Sequence, residues 1–177
     1  MRTAIALVVC LAACAETWKP TAASSNDHVK ESVFDRSWVW LDDHGGRVAF
    51  TQWRGSPIVL VAIFTTCQET CPRTLGKLRE VYDQFGRDHR RAEFVVVTID
   101  PETDSPERLR EFRKSRNLPA EWHLLTGGSR ETQELADLLG VHIMAMDTGM
   151  DAAHVVHDSK IMLFDGDGRS TSELDIR

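Results

Sequence analysis

Ile58-Val59-Leu60-Val61-Ala62-Ile63-Phe64-Thr65-Thr66-Cys67-Gln68-Glu69-Thr70-Cys71-Pro72 passes from an apolar, β-branched run into two cysteines four positions apart. A short continuous apolar run bounded by polar residues reads as a buried strand. Residues 74–85 just downstream read as a helix, so the thiols stand at a strand-to-helix junction. Two soft sulfurs at the start of a helix suit either a thiol–disulfide couple or a soft metal ion.

Working outward, residues 33–41, with Trp38 and Trp40, read as a strand. Asp42-Asp43-His44-Gly45-Gly46-Arg47 makes a turn and Val48-Ala49-Phe50 returns, which gives an N-terminal β-hairpin. On the other side come a strand at residues 94–99 and a helix at residues 106–116, with Ser105 as N-cap and Pro106 at its first position. A short strand at 122–125, a helix at 130–139 stopped by Gly140, and a strand at 159–164 complete the reading. The last feature is the tight turn Asp165-Gly166-Asp167-Gly168. Alternating strands and helices imply an α/β sheet with helices on both faces. A thiol pair after the first central strand, opening a helix, makes the expected class a thioredoxin-like mixed sheet with an N-terminal β-hairpin.

The 177 residues are 42 % hydrophobic and 27 % charged, enough for one sizeable core. The net charge of −6, without a basic stripe, argues against nucleic acid as partner. Arg2 followed by the apolar residues 5–13 reads as a secretory signal, too short to remain as a spanning helix. Leu11-Ala12-Ala13-Cys14 resembles a bacterial lipobox, so residues 1–13 are read as signal and Cys14 as the lipidated first residue of the mature chain. Cleavage after Ala15 is the alternative. Residues 14–32 form the expected tether, of which 16–32 could extend on the order of 55 Å. Residues 33–177 are the folded domain, expected to face the periplasm from a membrane anchor in a bacterial cell envelope. Of four cysteines, Cys10 leaves with the signal and Cys14 carries lipid, which leaves Cys67 and Cys71. A disulfide closing so small a loop stabilises little, so a functional pair is expected.

With Pro72 as first helical residue, Cys71 is the N-cap and Cys67 sits in the preceding turn. The free N–H groups of a helix start lower thiol pKa values below about 8.5. The three-residue gap lets the sulfurs splay around an ion. Further donors lie late in the chain: His142, Met144, Met146, Met150, His154 and His157. In a thioredoxin-like sheet the last long strand runs antiparallel beside the strand preceding the cysteines, and its start then places His157 beside them. His154 is a spare donor, and the methionines are read as packing or loop cover. Asp100 ends a parallel strand, where α/β folds place ligand crevices, and either tunes the site or forms an Asp-Pro turn. His28, His44, His89 and His123 are read as solvent-facing or structural. Two thiolates and an imidazole suit Cu(I) and Cu(II) better than structural zinc, which takes four protein ligands.

Three segments together resemble the Sco/SenC family of copper-binding, thioredoxin-like proteins. They are Phe64-Thr65-Thr66-Cys67-Gln68-Glu69-Thr70-Cys71-Pro72, then Val97-Thr98-Ile99-Asp100-Pro101-Glu102-Thr103-Asp104-Ser105-Pro106-Glu107, and His157 ahead of Ile161-Met162-Leu163-Phe164-Asp165-Gly166-Asp167-Gly168. The resemblance implies copper ligands at Cys67, Cys71 and His157. It implies a membrane-tethered, monomeric factor that helps mature the binuclear copper centre of a respiratory oxidase, by handing over copper, by reducing the target's cysteines, or both. Where the family carries Asp before its His, this chain has Val156, and Asp158 follows instead. The alternatives are a periplasmic thiol–disulfide oxidoreductase and a copper or redox sensor. Against the oxidoreductase, the last proline is Pro119, and His157 stands where thioredoxin-type enzymes carry a proline.

Overall fold

The computed structural model describes residues 31–68, 70–84, 92–141, 144–146, 154–156 and 160–175. Two largely apolar segments rich in β-branched residues form the centre of the fold. They are β3 (Ile58–Ile63) and β4 (Glu93–Thr98), paired in parallel from Ile58 opposite Glu93 to Ile63 opposite Thr98. All six residues of β3 are buried. A strand hidden on both faces has no polar alternation to show, which is why it reads as a continuous apolar run.

The N-terminal hairpin is β1 (Trp40–Asp42) with β2 (Arg47–Val48), and it joins the sheet through antiparallel pairing of β1 with β5 (His123–Thr126). β8 (Lys160–Phe164) runs antiparallel to β3 and is flanked by β9 (Ser170–Asp175). The sheet order is β2-β1-β5-β4-β3-β8-β9. A separate two-stranded ladder pairs β6 (Met144–Met146) with β7 (His154–Val156).

Alternate residues of β3 face opposite cores. Val59, Val61 and Ile63 pack with α1 (Thr70–Gln84) and α2 (Pro106–Arg116) through Leu75, Leu78, Leu109 and Phe112. Ile58, Leu60 and Ala62 face α3 (Ser129–Leu139) and the aromatic group Trp38, Trp40, Phe50 and Trp53. This is the expected mixed sheet with helices on both faces. Among the described residues no helix is long and apolar enough to cross a membrane.

Three local readings are corrected. Residues 33–41 are not one strand: Val33–Asp35 is a 3₁₀ turn, because the Ser32 hydroxyl accepts from Phe34 N–H at 3.0 Å and caps it. Val33 N–H also reaches the Gly168 carbonyl, which ties the start of the domain to the β8–β9 turn. Helix α1 opens at Thr70, so Cys71 lies inside its first turn instead of capping it. The chain beyond Gly168 continues as β9, a strand that sequence reading did not find.

Candidate metal centre

Cys67 and Cys71 are both buried, and neither is in a disulfide. The turn that carries Cys67 is closed by its N–H to the Phe64 carbonyl at 3.2 Å. The Cys71 N–H donates to the Cys67 sulfur at 3.2 Å, and the Thr70 hydroxyl lies 3.1 Å from the same sulfur. The start of α1 thus folds back on Cys67 and presents an N–H and a hydroxyl to its sulfur. Both side chains pack into the α1–α2 core, with Leu75 and Ile63 in the same cluster.

Burial pushes the Cys71 thiol up to about 12, with the Phe64 backbone opposing and Cys67 and Asp104 adding to the rise. The lowered thiol pKa expected of a helix start does not hold for Cys71: taking the charged sulfur out of water outweighs the N–H groups around it. Without a cation, Cys71 is a neutral thiol at neutral pH. A metal that binds there must displace its proton, so affinity rises with pH.

Behind the pair sits a residue that sequence reading passed over. Asp104 is 0 % exposed. Its carboxylate accepts from Thr65 N–H at 2.9 Å, from the Thr65 hydroxyl, and from the Thr98 hydroxyl at 2.5 Å. Arg108 approaches it at 3.7 Å and also donates to the Thr65 hydroxyl at 2.9 Å. Asp104 therefore ties the turn before Cys67 to the end of β4 and the first turn of α2. Asp100 has different work. Its carboxylate accepts from Thr103 N–H at 3.3 Å and its carbonyl from Asp104 N–H at 2.9 Å, so it closes the Asp-Pro turn that delivers Asp104 inward. The sequence marks both residues as acidic neighbours of a strand end. The available signal for Asp104 was its place one residue before the α2 N-cap, which brings the chain back over the top of β4.

Among the described residues no three His, Cys, Asp or Glu side chains gather closely enough to hold a metal ion. Cys67 and Cys71 come together; His157, Asp158 and Cys14 lie outside the described residues. The backbone of β7 places His154 opposite Met146. His123 is structural: its ring nitrogen bonds Glu93 at 3.0 Å and its ring lies 4.8 Å from that of Trp53. The donor chemistry fits a soft ion, since two adjacent thiols are what Cu(I) selects over harder cations.

The model of the SCO1/SenC family matches residues 26–176. This chain belongs to the SCO1/SenC family. Among its SCO1/SenC relatives, an SCO2-like protein of Rickettsia prowazekii is 25 % identical over 153 residues, 85 % of this chain and 74 % of its own. The copper-bound structure of ScoI from Bradyrhizobium japonicum superposes with a TM-score of 0.71 at 24 % identity, covering 79 % of this chain and 88 % of ScoI. BsSco, a member of the Sco family of cytochrome c oxidase assembly proteins in which a disulfide switch has been identified, gives a TM-score of 0.68 at 23 % identity over 85 % of this chain and 86 % of its own. At these identities the SCO1/SenC structures share the thioredoxin-like fold with this chain.

Proposed function

We propose that this protein is a copper-binding assembly factor for the binuclear copper centre of a respiratory oxidase, holding copper through Cys67, Cys71 and His157. The carrying observation is the buried dithiol at the start of α1, Cys67 in the turn before it and Cys71 in its first turn, with Cys71 N–H aimed at the Cys67 sulfur at 3.2 Å, in a family with copper-bound members. The sheet register supports the third ligand. β8 runs antiparallel to β3, with Ile161 opposite Val61, so the chain entering β8 does so near the end of β3 that leads to Cys67. His157 stands three residues before Lys160, a reach of roughly 10 Å in extended chain. Asp158 orients the imidazole on this reading. The domain, residues 33–177, hangs from residues 14–32 and a lipid on Cys14 at the periplasmic side of the envelope.

Bound copper supplies a soft Lewis-acid centre that can be passed to, or exchange an electron with, a thiolate partner. The chain's own residues prepare that site. The helix start presents N–H and hydroxyl groups to Cys67, Asp104 fixes the turn before it, and burial keeps water from the Cys71 sulfur. Asp104 adds a fixed negative charge that favours a cation at the pair.

Thiol reduction is the second reading, and the adjacency of two unbridged thiols favours keeping it. Oxidation of Cys67 and Cys71 to a disulfide releases two electrons and two protons, which would reduce one target disulfide to two thiols. The same oxidation removes the copper ligands, so the two activities exclude each other at any moment. Anaerobic copper titration of the reduced full chain tests the proposal. One equivalent bound, with a sulfur-to-copper charge-transfer band in the cupric form, is expected. Absence of saturable binding together with rapid reduction of insulin disulfides would replace it by the oxidoreductase.

A further inference from the structure

Beside the dithiol, α1 and the end of α2 enclose a shallow groove of about 190 Å³ lined by Pro72, Leu75, Gly76, Arg79, Arg116 and Leu118. Pro72 follows Cys71 directly, so the groove begins where the thiol pair ends. Its floor is apolar: Leu75 and Leu118 are buried within the α1–α2 core.

Gly76 is a residue that the packing of α1 does not itself require. It lies inside α1 and is exposed, and a Cβ built on it would meet nothing within 4 Å. Its backbone is not in the left-handed region either. Glycine weakens a helix interior relative to alanine, and here neither φ nor a close neighbour requires it. What its missing side chain provides is open space on the groove side of the helix, into which a second backbone can come close.

The rim carries charge of the opposite sign to the molecule. Arg79 is held over the Trp122 ring at 5.9 Å and donates to the Asn117 carbonyl at 2.6 Å; Arg116 is held over the Phe112 ring at 5.6 Å. Nearby, Lys77 pairs with Glu80 and Arg113 with Asp43, and neither rim arginine has a carboxylate partner among the described residues. A guanidinium has five N–H donors, and each of these keeps several for a ligand. Two fixed guanidinium groups above an apolar floor, with no carboxylate paired to them among the described residues of a chain of net charge −6, suit a carboxylate-bearing segment.

We propose that this groove docks an extended acidic segment of the protein that exchanges with the dithiol, its carboxylates on Arg79 and Arg116 and an apolar side chain on Leu75 and Leu118, with its backbone crossing over Gly76. The inference rests on the reading of Cys67 and Cys71 as the exchanging pair, and its test is separate from copper binding.

Short fluorescein-labelled peptides of alternating Glu and Leu, or of alternating Lys and Leu, are titrated with the full chain and followed by fluorescence anisotropy. The acidic peptide is expected to bind at least about tenfold more tightly than the basic one. Gly76→Leu, which fills the space over the helix, is expected to lose about tenfold in acidic-peptide affinity while its copper titration matches that of the unsubstituted chain. Gly76→Ala serves as the folding control, with a thermal midpoint at or above that of the unsubstituted chain. Arg79→Glu with Arg116→Glu is expected to reverse the preference. The proposal is overturned if the acidic peptide binds no better than the basic one, absence of binding by both included, or if Gly76→Leu binds it as well as before. Failure of copper to bind the unsubstituted chain would instead strike at the copper reading and leave the peptide result standing.

Discussion

At the scale of single residues, two buried carboxylates anchor the fold, one behind the dithiol and one on the hairpin turn between β1 and β2. Asp104 takes three protein donors with no exposure to water. Asp104→Ala leaves Thr65 N–H and the Thr98 hydroxyl without their acceptor, and should lower the unfolding free energy by about 3 kcal/mol in urea titration. Asp104→Asn, which keeps the shape, should recover part of the loss; an unchanged midpoint in Asp104→Ala would contradict the role assigned to it. Asp43 is the second. Burial pushes its carboxyl up, but Arg113, bonded at 2.6 and 3.0 Å, more than offsets this and holds it below its ordinary 3.8. A depressed folded value means that the ionised form stabilises the fold. That contribution is complete above the ordinary carboxylate value and is lost as pH falls through the lower folded one. Thermal midpoints of the unsubstituted chain should therefore drop below about pH 4. Arg113→Ala should flatten that drop while costing about 3–5 kcal/mol at neutral pH. The two cysteines were legible because their spacing and position are unusual; Asp104 was not, since Asp100, Glu102 and Asp104 are three acids in one turn and only the Ser105 cap that follows hints at which of them turns inward.

At the scale of elements, legibility followed burial. β3 and β4 carry so many β-branched apolar residues in a row that little else fits them. Helix α2 was bounded by its own chemistry, as the Ser105 hydroxyl accepts from Arg108 N–H and Asn117 closes the far end in the left-handed region. β9 was invisible because Ser170-Thr171-Ser172-Glu173-Leu174-Asp175 holds one aliphatic residue; backbone pairing with β8 at the sheet edge makes it a strand. The Val33–Asp35 turn failed for the opposite reason: its apolar residues look strand-like, and the Ser32 cap that turns the chain is itself held by the distant β8–β9 turn, through Ser32 to the Asp167 carbonyl and Val33 N–H to the Gly168 carbonyl. The approach of α3 to the sheet is set by Gly127. A Cβ there would lie 2.6 Å from the Trp40 ring, so Gly127→Ala should destabilise by about 1–3 kcal/mol in chemical denaturation. A neutral result would mean that the Trp40 ring, fully buried in the aromatic cluster, can shift more freely than its packing suggests.

At the scale of the whole molecule, the sheet order sets the end of β3 beside the start of β8, strands about a hundred residues apart in the chain. β3 leads out to the thiols, and β8, entering beside it from the opposite direction, carries the chain that follows His157. A ligand that bridges the turn before α1 and the segment before β8 would staple strands joined otherwise through the sheet. Copper should therefore raise the thermal midpoint of the reduced chain, with about 4 kcal/mol of stabilisation when free copper reaches a thousand times its dissociation constant, and a chelator should reverse the gain. The central claim is that two sulfurs and one imidazole from these separate segments meet on one copper ion. X-ray absorption at the copper edge of the loaded full chain, compared with His157→Ala, tests it most directly. Two sulfur scatterers and one imidazole are expected, with the imidazole lost in His157→Ala. A first shell without sulfur, or an imidazole that survives the substitution, would contradict the account.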